Sequence, residues 1–324
     1  MFTMRFDMRT HPDGAPVQDL YAAALEMSAW AEGRGCIGVQ VSEHHASPDG
    51  YLPAPLVLAS GIAARTKTLP IQVAALLVPL HDPVELAEHM TVLDVMSGGR
   101  VSYVCAIGYR PEEYAMFGRV MKGRGRRLED CIGVLRRAFS GEAFDYEGRR
   151  VQVTPRPLTP GGPPLLMGGS SEIAVRRAAR LGMGMITQGG DERLQRVYEE
   201  TCREAGTTPG MFVNPPVAGA VMSGFVAEDP DAAWAEMGPF LLHDARMYAA
   251  WLGGTATSTK SVADSVEALR AENGSYRIFS VDEAVAHVKA TGMLLTQPLC
   301  GGLPPKLAWR SLELLVDKVL PRRA

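Results

Sequence analysis

Several features that would place this 324-residue chain in a specialised class are missing. No apolar run approaches the roughly 18–20 residues that span a bilayer, and the N-terminal segment lacks the apolar core of a secretory signal. With 33 basic and 36 acidic side chains the formal net charge is −3, which does not indicate a nucleic-acid partner. We therefore expect a cytoplasmic globular protein with no membrane or nucleic-acid partner.

Cysteine is scarce and scattered. The five cysteines are odd in number and form no CxxC pair, which argues against a disulfide framework or a zinc knuckle. Adjacent histidines such as His44 and His45 usually do not face one ion, and no H-x-x-x-H helix adds ligands, so no metal site is expected. The sequence also lacks a Walker A loop and the G-x-S-x-G elbow of many hydrolases.

What the sequence does contain is an alternation of strand-like and helix-like segments. Short apolar runs such as 36–41 and 71–78 alternate with segments of helical periodicity such as 17–32. Strands that are apolar throughout are typical of parallel sheets, and about eight strand–helix units can be counted. The sequence predicts a single α/β domain over 1–324, a (β/α)8 TIM barrel with an irregular insertion near 252–280.

Local signals predict individual boundaries. An aspartate–proline pair predicts the start of a helix over 83–96, and a capping box at 280–283 predicts the start of another. Residues 108–122 are rich in glycine, proline and aromatic side chains and are expected to form a long loop. Residues 213–226 are expected to form one strand.

The segment Glu43-His44-His45 comes directly after the second predicted strand. In a TIM barrel that position lies at the carboxyl ends of the strands, where catalytic side chains gather. A histidine in a loop is also often structural. The residues alone leave both roles open.

The segment Gly168-Gly-Ser-Ser171 follows a predicted strand and opens a predicted helix. The free N–H groups and positive dipole end of a helix N-terminus suit a phosphate, and glycine permits close approach of the backbone. An ordinary serine N-cap gives the same pattern, so phosphate binding and simple capping remain alternatives. Cys105 lies in an apolar strand and is expected to be a buried, inert thiol.

Taken in chain order, six segments resemble those of the bacterial-luciferase-like flavin monooxygenase family. They are residues 42–45, 73–79, 93–100, 108–118, 168–171 and 301–315. The resemblance implies a (β/α)8 barrel with a flavin at the carboxyl ends of the strands. It also implies that reduced FMN reacts with O2 to a C4a-(hydro)peroxide, which oxygenates a small organic substrate.

The resemblance also implies roles for individual residues. His44 matches the catalytic histidine, and Glu43 matches a residue near the isoalloxazine ring. The Ala74–Ala75 bond matches a non-proline cis peptide beside the ring. The remaining cofactor-binding positions, which match the loop near the ring and phosphate and the phosphate grip, are Ala106, Ile107, Tyr109, Gly169, Ser170 and Ser171.

Two positions depart from the family pattern. Luciferase itself has a reactive cysteine where this chain has Ala106, which argues against light emission. Many relatives have an arginine that assists the phosphate where this chain has Ile107, and Arg110 is one hypothetical replacement.

The resemblance finally implies partners. A homodimer would form through the helices near 54–67 and 83–96. Because the barrel uses nearly the whole chain, a separate flavin reductase is expected to supply reduced FMN. An F420-dependent oxidoreductase and a non-catalytic flavin-binding protein are the alternatives, and the sequence does not separate FMN from F420.

Overall fold

Strands and helices alternate along most of the chain. The computed structural model describes residues 1–215, 220–251 and 261–322. The strands of these parts are β1 (Phe2–Phe6), β2 (Cys36–Val41), β3 (Ile71–Leu76), β4 (Val101–Cys105), β5 (Phe144–Tyr146), β6 (Arg149–Val151), β7 (Leu165–Gly168), β8 (Gly184–Ile186), β9 (Phe212–Val213), β10 (Ser223–Ala227), β11 (Tyr276–Ser280) and β12 (Leu294–Thr296). Their α-helices are α1 (Val17–Ala31), α2 (Pro55–Arg65), α3 (Pro83–Ser97), α4 (Pro111–Met116), α5 (Arg124–Ala138), α6 (Glu172–Arg180), α7 (Arg193–Ala205), α8 (Pro230–Trp251), α9 (Val266–Ala271), α10 (Val281–Thr291) and α11 (Pro305–Leu314).

Eight of the strands form one curled sheet in the order β12-β1-β2-β3-β4-β7-β8-β9. Every neighbouring pair is parallel, and the last strand lies beside the first, with Phe2 opposite Leu294. Parallel neighbours need crossover connections, which helices supply, so all carboxyl ends of the strands lie at one rim. The predicted (β/α)8 architecture is confirmed. Within the described ranges no strand pairing joins β9 to β12, so these two strands are the edges of the curved sheet.

Side-chain caps explain several helix boundaries. The Asp82 carboxylate accepts hydrogen bonds from two first-turn N–H groups of α3 at 2.8 and 3.3 Å, and Pro83 takes the first helical position. Gly98, with φ of 68°, ends the same helix in the left-handed conformation that glycine adopts readily. The capping box at 280–283 opens α10. The predicted starts of both helices are confirmed.

The expectation of an unbroken loop over 108–122 is wrong, because α4 lies within it. A helix of six residues is shorter than two turns and leaves no periodic apolar pattern to detect. Its remaining signals are a proline at the first position and two glutamates, Glu112 and Glu113, in the first turn.

The single strand expected over 213–226 is two strands, β9 and β10, which belong to different sheets, and residues 216–219 lie outside the described part. The insertion near 252–280 is regular where it is described, since it contains α9 and β11; residues 252–260 lie outside the described part. β10 and β11 pair in parallel as a separate two-stranded sheet. Their pairing joins segments far apart in the chain, which local periodicity does not reveal.

The described helices and cysteines carry further information. None of the described helices is both long and apolar enough to cross a bilayer. All five cysteines are free thiols, and four of them are buried. Burial raises the pKa of Cys105 to about 12, so this thiol is the unreactive core residue that the sequence predicts.

Candidate active site

The loops that follow β2, β3 and β4 meet at the carboxyl rim of the sheet. Glu43, His44 and His45 come directly after β2, a 3₁₀ turn at Val78–Leu80 follows β3, and the loop to α4 follows β4. Because these three strands are neighbours in the sheet, their loops lie side by side. Hydrogen bonds of Glu43 and His44 join all three loops.

His44 is held between a carboxylate and a phenol. Its Nδ1 lies 2.7 Å from Oε1 of Glu113, and its Nε2 lies 3.3 Å from the hydroxyl oxygen of Tyr109. Glu113 is fully buried and His44 is 8% exposed. A ring nitrogen that faces a carboxylate oxygen carries the proton, so Nδ1–H donates to Glu113 and the Nε2 lone pair accepts from Tyr109. This is the arrangement of a general base whose tautomer is fixed by a buried acid.

Aromatic side chains enclose the His44 ring. The centroids of Tyr51 and Trp251 lie 4.9 and 4.7 Å from that of the imidazole. Burial lowers the pKa of His44, and hydrogen bonding to Glu113 opposes this effect without cancelling it. The imidazole is therefore neutral at neutral pH and available to accept a proton.

Glu43 ties two loops together. Its Oε1 accepts from Nε2 of His45 (2.9 Å) and of His81 (2.8 Å), and its Oε2 accepts from the backbone N–H of Leu77 (2.5 Å). Burial alone would raise the pKa of this carboxyl, but the hydrogen bonds from the two histidines and the Leu77 amide lower it to about 2. Glu43 is thus an ionised anchor between the loop after β2 and the loop after β3, and its contact with a flavin ring stays a prediction.

Small side chains form a shallow floor beside these loops. The Ala74–Ala75 peptide bond is cis, as the resemblance implies. Ala74, Ala75 and Ala106 are all half-buried at the carboxyl ends of the neighbouring strands β3 and β4. On the next strand, a Cβ added to Gly168 would lie 2.9 Å from Cγ1 of Val104, so that position has room only for hydrogen. The three methyl groups make this part of the rim low and apolar, and Gly168 is close-packed against Val104 beside it.

The N-terminus of α6 lies at the same rim, after β7. The Ser171 hydroxyl accepts from the N–H of Ala174 (3.2 Å), so the N-cap that the sequence allows is present. The Ser170 hydroxyl accepts from the N–H of Gln188 (2.8 Å). Both serines are exposed, and Gly169 before them adopts φ of 147°. The other first-turn N–H groups of α6 have no intrahelical acceptor, so this end of the helix suits an anion in addition to its cap.

The hypothesis that Arg110 replaces the family's phosphate-binding arginine is not favoured by its contacts. Its Nη1 donates to the carbonyl of His45 (2.5 Å), its Nη2 donates to that of Ala46 (3.4 Å), and its guanidinium lies 4.3 Å from the Trp251 ring centroid. The side chain is buried in these contacts. Arg110 thus fixes the loop that carries His44 and His45.

A buried charged layer supports the aromatic enclosure. Arg9 is fully buried, with Nε 2.9 Å from Oδ1 of Asp244 and Nη1 2.5 Å from Oδ2 of Asp49. Its guanidinium lies 4.4–4.7 Å from the ring centroids of Tyr51, Tyr248 and Trp251. Two of these rings contact His44, so Arg9 helps to position the walls of the site.

Sequence reasoning singled out His44 as a candidate but not the neighbouring Glu113 and Arg9. Glu113 lies in the helix that was expected to be a loop, and its i−1 neighbour Glu112 is exposed, so nothing in the sequence marks one glutamate as the buried partner. Arg9 lies shortly after the end of β1 at Phe6, and a charged residue just beyond a barrel strand was a usable signal.

Comparisons with known proteins agree with this architecture. The family model described as luciferase-like monooxygenase matches residues 2–285. The β chain of alkanal monooxygenase from Vibrio harveyi is 27% identical over 177 residues, which are 51% of this chain and 54% of that protein. The chain spans about half the length of the curated relatives it matches.

Three solved structures share the fold. Monooxygenase RslO1 from Streptomyces bottropensis has a TM-score of 0.78 at 21% identity over all of both chains. The oxygenating constituent of 3,6-diketocamphane monooxygenase from Pseudomonas putida, in complex with FMN, has a TM-score of 0.71 at 19% identity over 100% of this chain and 99% of that chain. The coenzyme F420-dependent tetrahydromethanopterin reductase from Methanopyrus kandleri has a TM-score of 0.63 at 15% identity over 100% and 99%.

Proposed function

The chain belongs to the luciferase-like monooxygenase family, and from this premise we propose that it is a flavin-dependent monooxygenase that uses reduced FMN and O2 to oxygenate a small organic substrate. The observation that carries the proposal is the order of features along the rim. The proton-transfer group His44 follows β2, the alanine floor lies on β3 and β4, and the anion-binding end of α6 follows β7. A flavin mononucleotide has a flat ring, which matches the alanine floor, and a terminal phosphate, which matches the N-terminus of α6.

The residues present fit FMN. Ala74, Ala75 and Ala106 would lie against the ring, and the first-turn N–H groups of α6 with Ser170 and Ser171 would hold the phosphate dianion. Bound reduced FMN would supply the electrons that activate O2. The enclosure of His44 by Tyr51 and Trp251 would keep water away from the reacting groups.

The role of His44 is proton transfer at Nε2. Its neutral state at neutral pH lets it accept a proton, and Glu113 would stabilise the imidazolium that forms. His45 differs, because its Nε2 is bound to Glu43 and its backbone N–H donates to Glu113 (3.0 Å). We assign His45 to the scaffold.

Two partners belong to the proposal. A separate reductase would supply reduced FMN. A second copy of the chain would cover the outer surface of α2 and α3, where apolar side chains are exposed: Val57, Val92, Val95 and Met96.

A deazaflavin is the second candidate cofactor, because a neighbour with a TM-score of 0.63 is described as F420-dependent. Titration of the cofactor-free protein with FMN, reduced FMN and F420, followed by fluorescence quenching, separates the two. Consumption of O2 by the complex with reduced FMN, increased by an added organic substrate, supports the monooxygenase. Tight binding of F420 with no affinity for either form of FMN contradicts it.

A further inference from the structure

A line of hydrogen bonds leads from a buried carboxylate to an accessible phenol. Oε1 of Glu113 lies 2.7 Å from Nδ1 of His44, and Nε2 of His44 lies 3.3 Å from the Tyr109 hydroxyl. Accessibility increases along this line, since Glu113 is fully buried, His44 is nearly so and Tyr109 is half-buried. The outermost group of the line is the phenol.

We propose that Glu113, His44 and Tyr109 form a proton relay, and that the hydroxyl of Tyr109, not the imidazole of His44, meets the reacting atom. The proposal deepens the proposed function and rests on it, since it divides the proton transfer assigned to His44 between two residues.

The transfer balances without a change of redox state. An O–H or N–H group at the reacting centre gives its proton to the Tyr109 oxygen while the Tyr109 hydroxyl proton moves to Nε2 of His44. The Nδ1–H of His44 stays hydrogen bonded to Glu113, whose negative charge balances the imidazolium. The reverse sequence returns the proton to the product.

The surroundings of His44 favour this division. Both ring nitrogens are engaged, one by Glu113 and the other by Tyr109. The ring itself is covered by Tyr51, Trp251 and Tyr109, with centroid distances of 4.9, 4.7 and 5.3 Å. A ligand that approaches Nε2 therefore meets the Tyr109 hydroxyl first.

Tyr109 is fixed from both sides. Before it, the Tyr114 hydroxyl donates to the carbonyl of Ile107, and Gly108 turns the chain with φ of 70°. After it, Arg110 donates to the carbonyl of His45 at 2.5 Å. These contacts join the Tyr109 loop to the His44 loop, so the 3.3 Å separation between the two side chains is set by two anchored segments.

The charges around the relay give it the protonation states it needs. Burial lowers the pKa of His44; Glu113 acts against burial, whereas the cations Arg9 and Arg110 act with it. Burial raises the pKa of Tyr109. At neutral pH the imidazole is neutral and the phenol keeps its proton, which is the resting state of the relay.

The first test uses the cofactor-free protein and does not depend on activity. Histidine labelled with ¹⁵N reports the tautomer of each imidazole through long-range ¹H–¹⁵N correlations, and His44→Gln identifies the His44 signals. We expect a proton on Nδ1, an Nε2 signal that moves in Tyr109→Phe, and a mixed tautomer with a lower pKa in Glu113→Gln. The matched controls are Glu112→Gln, the exposed neighbour on α4, and Tyr21→Phe on α1. An Nε2 signal that is unchanged in Tyr109→Phe overturns the relay.

The second test is kinetic. Photoreduced FMN bound to the enzyme is mixed with aerated buffer, and the return of flavin absorbance is followed between pH 5 and 9. At saturating FMN we expect Tyr109→Phe and His44→Ala to slow the proton-dependent phase by about 10²–10⁴-fold, with no further loss in the double variant. If His44→Ala is slow but Tyr109→Phe stays within threefold of wild type, the relay is wrong and the proposed function stands. If the wild type does not bind reduced FMN, the proposed function fails, and the chemical role of the relay fails with it.

Discussion

Replacement of Glu43 by glutamine is the sharpest test of how the site is held together. Glu43 is buried, and its two oxygens accept three hydrogen bonds, from His45, His81 and the Leu77 backbone. Glutamine keeps the size of the side chain but loses the charge and one acceptor atom. The amide also places N–H donors against partners that are themselves donors.

The expected magnitude follows from the pKa of Glu43, which is lowered from 4.5 to about 2. At 1.36 kcal/mol per unit, this difference corresponds to about 3 kcal/mol of stability contributed by the ionised form. The pKa is lower in the folded state, so this stability is present above pH 4.5 and is lost as the pH falls towards 2. The pKa of His81 is raised instead. The stability that protonated His81 contributes is therefore present below pH 6.5, the ordinary pKa of histidine, and is lost as the pH rises through the pKa of His81 in the folded state. The pair is therefore most stabilising between about pH 4.5 and 6.5.

Urea titration followed by circular dichroism, with reversibility checked, measures the free energy of unfolding between pH 3 and 8. At pH 5.5 we expect Glu43→Gln to be less stable than wild type by about 3 kcal/mol, and this difference should shrink as the pH approaches 3. Glu88→Gln, an exposed glutamate on α3, is the control and should change little. A loss below about 1 kcal/mol, or a difference between variant and wild type that stays constant on acidification, would refute the reasoning.

Three other outcomes are expected. His44→Ala should keep the fold and FMN affinity but slow substrate oxygenation about 10²–10⁴-fold in single-turnover reactions with pre-reduced FMN, whereas His45→Ala should mainly lower stability; oxygenation within threefold of wild type would remove His44 from the mechanism. Ser171→Asp places a carboxylate at the α6 N-terminus and should weaken FMN binding in a fluorescence titration through repulsion of the phosphate; unchanged affinity would move the phosphate elsewhere. The wild type should sediment as a dimer and Val95→Asp, at a position 47% exposed on α3, as a 34.9-kDa monomer; a monomeric wild type contradicts the interface.

The barrel could be predicted because its signals are local. Apolar runs, helix caps and glycine stops each lie within a few residues, as at Asp82 and Gly98 of α3, and each fixes one boundary. Counting the units then gives the architecture. The elements that were missed, α4 and β11, are of a different kind. One is too short to be periodic, and the other is stabilised by pairing with β10, a segment distant in the chain.

The candidate site likewise contains some residues that the sequence marks and others that it does not. His44 and the serines of α6 could be singled out as candidates because they follow predicted strands, whereas the alanine pair was implied by the family resemblance; the roles of all of them stay predictions. Glu113 could not be singled out, because its role depends on the path of the chain after β4, which brings one of two adjacent glutamates against a ring 69 residues away. A carboxylate's partner is set by tertiary distance, and sequence spacing carries little information about it.

The charged layer behind the site also depends on contacts between distant parts of the chain. Arg9 and Asp244 lie far apart in the chain, yet they form a fully buried ion pair against the rings that enclose His44. Loss of Arg9 removes the cation that lies against Asp244, Asp49 and Asp7, and breaking a buried ion pair by removing one partner costs about 3–5 kcal/mol. The aromatic enclosure of His44 is thus tied to the stability of the fold, because Arg9 packs against the Tyr51 and Trp251 rings that form it.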